Sequence, residues 1–177
     1  MKDSRPLGMA DCDVFVRERI IEAVATEVAE GGRDGLKLAT LVLRAKVSKT
    51  RFYRIFESDG IRGAFRAMLE SFTREVEERL AHAESLERTL EVLIFWTREH
   101  RAKAIAFLNC GYYEPDIFVA AFDRFAAFTG LPSPRADGVV GGIAWAFRRH
   151  LERGALGDDF LAELLAFAAP YFEGVEC

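Results

Sequence analysis

Cysteine is scarce in this chain of 177 residues: there are three, Cys12, Cys110 and Cys177, an odd number without CxxC spacing. That suits a reducing compartment and excludes neither a reactive nor an inert thiol. Histidine is equally sparse, and His82, His100 and His150 stand too far apart for metal-ligand spacing. The sequence has no GxSxG, no HExxH and no glycine-rich phosphate loop after a strand. Cys110 near His100 reads as an inert thiol on an apolar helix. No enzyme chemistry, metal or cofactor is expected. Long apolar runs are missing too: VLIFW (92–96), IFVAAF (117–122) and LLAFAAPYF (164–172) are too short to span a bilayer. The opening MKDSRPLGMADCD has no apolar h-region, so no secretory signal is expected. A soluble, cytoplasmic protein is the expectation.

Half of the chain is hydrophobic and Phe alone contributes 15 residues, enough for a core in one sizeable domain or a module on a larger one. The net charge of −4 argues against nucleic acid, but its distribution does not. Residues 37–66 carry eight Lys/Arg against two acids, whereas residues 81–177 carry nine against fourteen. Such asymmetry fits a polyanion footprint at one end of the molecule, or a solvated charged surface.

No segment sustains β alternation and no repeat is visible, so the fold class is all-α. Val14, Ile21, Val24, Ala25 and Val28 recur at helical spacing, and the helix stops at Gly31-Gly32. Residues 38–44 form a second helix, and Ser48 caps a third. Ser58 and Asp59 cap a fourth, which runs through Ile61, Phe65, Met68, Leu69, Phe72, Val76 and Leu80. The tight turn at 45–47 makes the second and third helices a helix-turn-helix. In AKVSKTRFYRIF (45–56), Val47, Phe52 and Phe56 face inward while Lys49, Thr50, Arg51 and Arg54 face out. One stripe anchors such a helix and the other meets DNA, although a basic amphipathic helix that binds nothing shares the pattern.

The stretches RERIIEAVATEVAEGG and LATLVLRAKVSKTRFYRIFES, followed by a long helix, resemble the N-terminal domain of TetR-family transcriptional regulators. Leu41-Val42, Ala45-Lys46-Val47-Ser48, Tyr53 and Phe56 stand at the family's core positions, and the likeness covers about residues 14–80. It implies a three-helix DNA-binding domain over 1–57. It also implies a helical effector-binding and dimerisation domain over 58–177. The chain would be a regulator, a repressor in the first instance, that binds operator DNA as a homodimer and answers to a small effector. The DNA-binding set it implies is Lys46, Ser48, Lys49, Thr50, Arg51, Tyr53 and Arg54. Three positions depart from the family. Lys46 replaces the turn glycine, Leu38 and Ala39 stand where the second helix has its Ser/Thr cap, and Asp59 occupies a position that commonly offers phosphate a lysine. A helical dimer that has lost DNA binding and serves as a ligand-binding or interaction module is the alternative.

Beyond residue 80, Leu90, Leu93, Ile94, Phe95, Trp96, Ala104, Phe107 and Leu108 predict one buried helix over 88–110. Ile117, Phe118, Ala121, Phe122, Phe125 and Phe128 predict another, stopped by Gly130 and Pro132. These aromatics make a core or, with Thr97, His100, Asn109, Tyr112 and Tyr113 among them, a pocket. The expected lining for an apolar or aromatic effector is Trp96, His100, Phe107, Tyr113, Phe118, Phe122 and Trp145. Residues 136–152 are rich in glycine and alanine, and after a turn at 154–157 Asp158 caps a last apolar helix. That pair completes the monomer core or, as the resemblance implies, the dimer interface through Gly141, Gly142, Trp145, Leu161, Leu164, Leu165 and Ala168.

Overall fold

The computed structural model describes residues 9–57, 59–110, 113–154 and 156–172. Among these residues there are nine α-helices and no strand, so the chain is all-α. Ser58, Gly111, Tyr112, Cys177 and the side chains of Cys110 and Phe128, all named above, lie outside the described residues. By its internal contacts the chain divides into two compact units, residues up to Leu69 and residues from Glu70 onward.

The first unit holds α1 (Met9–Gly31), a 3₁₀ turn (Arg33–Gly35), α2 (Leu38–Arg44), α3 (Lys49–Ile55) and the opening turns of α4 (Gly60–Leu80). The helix α1 packs on both α2 and α3. Its buried stripe runs through Val16, Ile20, Val24 and Val28, with Ile21 and Ala25 beside it. Spacings of four keep these residues on one face. Val14, expected in that stripe, lies about 20° from Ile21 round the helix but is 63% exposed. Arg44 at the end of α2 ties back to α1 through Glu27 at 2.6 Å and Glu30 at 2.7 Å.

The second unit begins within α4 and adds α5 (Leu86–Glu99), α6 (Arg101–Cys110), α7 (Pro115–Thr129), α8 (Arg135–Glu152) and α9 (Phe160–Phe172). The single helix expected over 88–110 is therefore two. His100, at φ −119° and ψ 43°, breaks it. The backbone bonds His100 N–H to Trp96 O (2.8 Å) and Ala104 N–H to His100 O (3.1 Å) survive on either side. A hydrophobic pattern cannot register a break that loses so little of the ladder. The helix α7 stops at Gly130, whose φ of 65° is left-handed and open to glycine at no steric cost.

In this unit α8 packs on α6, α7 and α9, and α5 packs on α6 and α9. At the centre Phe72 stacks on Phe107 (4.0 Å between centroids) and stands edge-on to Trp96 (4.8 Å). The approach of α8 to α9 depends on a missing side chain. A Cβ on Gly142 would lie 2.2 Å from the Phe167 ring, well inside contact distance. Asp158, expected to cap α9, stands before it with its carboxylate 3.6 Å from Arg98.

Candidate functional site

Two features carry chemistry, one in each unit. The first is the basic face of α2, α3 and the turn between them. Lys46 holds φ 52°, the only left-handed residue other than glycine among those described. The turn is fixed from both sides. Val47 N–H donates to Val42 O (2.9 Å), and the Arg19 guanidinium donates to the carbonyls of Ala45 and Lys46. Ser48 Oγ then accepts from Arg51 N–H at 3.2 Å, capping α3. No side chain caps α2, whose first flanking residue is Lys37.

Along α3, Phe52 is fully buried and Phe56 nearly so, while Lys49, Thr50 and Arg54 face solvent and Tyr53 is 48% exposed. Lys46, Ser48 and Asp59 are exposed as well. Arg51 is different. Its Nη2 donates to Cys12 O (3.3 Å), Cys12 Sγ (2.8 Å) and Asp13 Oδ1 (3.1 Å) at the start of α1. Arg54 Nη2 reaches the same Asp13 oxygen at 2.6 Å. Burial pushes the Asp13 carboxyl up, but hydrogen bonds from Arg54 and Arg51 outweigh it and hold the group below the ordinary aspartate value. Two of the seven expected DNA-binding side chains are thus engaged within the chain. The sequence signal for this was one acid, Asp13, on a helix read only for its apolar stripe.

The second feature is a cavity of about 320 Å³ in the second unit. It is walled by side chains of α4 to α9 and by the turn at 83–85. Phe107 and Phe122 line it as expected, but the other five residues do not. Trp96 is buried against Phe72, the His100 ring lies tilted against Trp96 at 4.9 Å, and Phe118 is held between Phe107 and Phe122. Tyr113 is 39% and Trp145 62% exposed. The α5 wall is Leu86, Thr89, Leu90, Leu93 and Thr97, which recur at spacings of three and four and share one helix face. Trp96 lies one residue, and so about 100°, away from it. Of the expected interface set, Leu164 and Ala168 are buried within the chain, Leu161 and Leu165 are half-buried, and Trp145 is exposed. Gly141 is open, and Gly142 faces Phe167.

A partly buried ion pair also ties α4 to α6. Lys103 Nζ, on a side chain only 5% exposed, lies 3.0 Å from Glu75 Oε1. Burial pushes the Glu75 carboxyl up, and hydrogen bonds from Lys103 and Ser71 more than reverse this, leaving it below its ordinary value.

The described residues define an all-helical chain with one basic helical face and one apolar cavity, and they contain no group of His, Cys, Asp and Glu fit to hold a metal. None of their helices is long and apolar enough to cross a membrane. No protein-family model, no curated protein and no solved structure matches the chain.

Proposed function

We propose that the chain is a TetR-like transcriptional regulator that binds operator DNA as a homodimer through α2, the turn and α3, and is relieved of DNA by a small effector held in the 320 Å³ cavity. The observation that carries this reading is the turn itself. Lys46 accepts a left-handed backbone, at a cost of about 1–2 kcal/mol, to set α3 with Phe52 inward and Lys49, Thr50 and Tyr53 outward. A helix-turn-helix needs that disposition. Phe72 lines the cavity, and its helix α4 runs back to Gly60 in the first unit. A ligand that displaces Phe72 therefore acts on an element common to both units, and a coupling of about 1–3 kcal/mol suffices for regulation.

One observation favours the alternative of a helical ligand-binding dimer without DNA binding: Arg51 and Arg54 are both engaged by Asp13. Fluorescence anisotropy with DNA from upstream of the chain's own gene separates the two. As a regulator, the wild type binds, Lys49→Ala weakens binding, and the salt slope falls by about 0.9 for each phosphate no longer neutralised. Asp13→Asn, which removes the negative charge paired with both guanidiniums, tightens binding. No binding by either the wild type or Asp13→Asn supports the alternative.

A further inference from the structure

Among the described residues, the cavity wall contains no lysine, arginine or histidine, and the one titratable side chain there, Glu84, is exposed at the turn that leads into α5. Three of its polar side chains are already in use. Ser85 Oγ accepts from Arg88 N–H (3.1 Å), Thr89 Oγ1 donates to Ser85 O (2.9 Å), and Thr129 Oγ1 donates to Ala126 O (2.7 Å). Thr97 remains. It is 5% exposed, and it is the one buried polar residue among those that line the cavity. Six phenylalanines contribute to that wall: Phe72, Phe107, Phe122, Phe125, Phe147 and Phe172.

We propose that this cavity selects an uncharged aromatic ligand carrying a single hydroxyl or carbonyl, which pairs with Thr97, and that it rejects carboxylates and phosphates. The claim rests on the reading of the cavity as the effector site, and adds its selectivity. An anion entering there loses its hydration and meets no cation, which raises its cost steeply. A neutral ring loses little water and gains edge and face contacts with the phenylalanines. One polar atom on the ligand can pair with Thr97, so neither group is left buried and unpaired.

Titration calorimetry on the intact chain, without DNA, tests this with three probes of one shape: biphenyl, 4-phenylphenol and biphenyl-4-carboxylate. At neutral pH the phenol is uncharged and the acid is ionised. The expected order is phenol tightest, biphenyl several-fold weaker, and carboxylate at least tenfold weaker than the phenol. Thr97→Val keeps the side-chain shape and removes the hydroxyl. It brings the phenol down to the affinity of biphenyl and leaves biphenyl unchanged. Ala144→Phe fills the cavity from α8 and abolishes binding of both. A carboxylate that binds as well as the phenol, a phenol advantage that survives Thr97→Val, or no binding by any probe overturns the proposal. Release of DNA is read separately by anisotropy. A phenol that binds with the expected selectivity but leaves DNA binding intact upholds the site and refutes its regulatory role.

Discussion

At Lys46 the chain accepts a conformation that its side chain disfavours, since at φ 52° the Cβ crowds the backbone. Lys46→Gly removes that conflict, worth about 1–2 kcal/mol, and returns part of it through the larger entropy of an unfolded glycine, about 0.5–1 kcal/mol. The expected net is a gain of roughly 0.5–1 kcal/mol, read as a higher urea midpoint at unchanged slope. The same change removes a cation from the basic face, so DNA affinity should fall while stability rises. A lysine retained at that strain is most simply explained by its charge. Glu75 and Lys103 pose the opposite case, a pair whose members need each other. Glu75→Gln takes one carboxylate from the buried Lys103 ammonium and should cost about 2 kcal/mol in chemical unfolding. The sign of the pH effect follows from the lowered Glu75 value. Its contribution is present above the ordinary 4.5 and is lost as the pH falls through the lower folded value. Wild type should therefore lose stability in acid through that window, and Glu75→Gln should lose less.

The two short helices of the first unit differ at their starts. Ser48 caps α3 with its hydroxyl, whereas α2 follows Lys37, whose φ of −125° and ψ of 134° already match a capping residue but whose side chain cannot accept. Ser48→Ala should cost about 1 kcal/mol, and Lys37→Ser should return a similar amount, both measured by thermal melts followed by circular dichroism. The boundaries of α2 and α3 were legible because a capping serine, a short apolar run and a basic stripe are local signals. The all-α class was legible from periodicity alone. What was not legible is tertiary. The break at His100 leaves no mark in the apolar pattern, and Asp13 meets Arg51 and Arg54 across about forty residues of sequence. The cavity takes its wall from six helices, so its lining depends on which face each one presents. Bulky aromatics were only part of the guide to it: Phe107 and Phe122 line the wall, whereas Trp96 and Phe118 fill space against other rings, and small residues such as Ala104 and Ala144 leave the room.

At the scale of the whole molecule, the open question is what covers the outer face of α8 and α9. A helix at the surface of a monomer is polar on its solvent side. In α9, Ala162, Ala166, Phe167, Ala169 and Pro170 are exposed, and Glu163 is its one charged residue. On α8 the largest apolar side chain, Trp145, is 62% exposed, and a Cβ added at neighbouring Gly141 would meet open space. Water against this much exposed apolar surface is unfavourable, and a second copy related by a two-fold axis would present the same face in return. Leu164 and Ala168 cannot serve that contact directly, since they are buried within the chain and hold α9 in place. Trp145 can. Trp145→Glu places a charge where the partner's helix would lie and removes little from the protomer, so its fold should survive with a stability change within about 0.5 kcal/mol, as for other exposed sites. Sedimentation should find the wild type dimeric at micromolar concentration and the variant monomeric, with the same helical circular dichroism. DNA binding should weaken in parallel, because a monomer forfeits the second half-site. A wild type that sediments as a monomer would refute the dimer, and a variant that stays dimeric would move the interface away from Trp145.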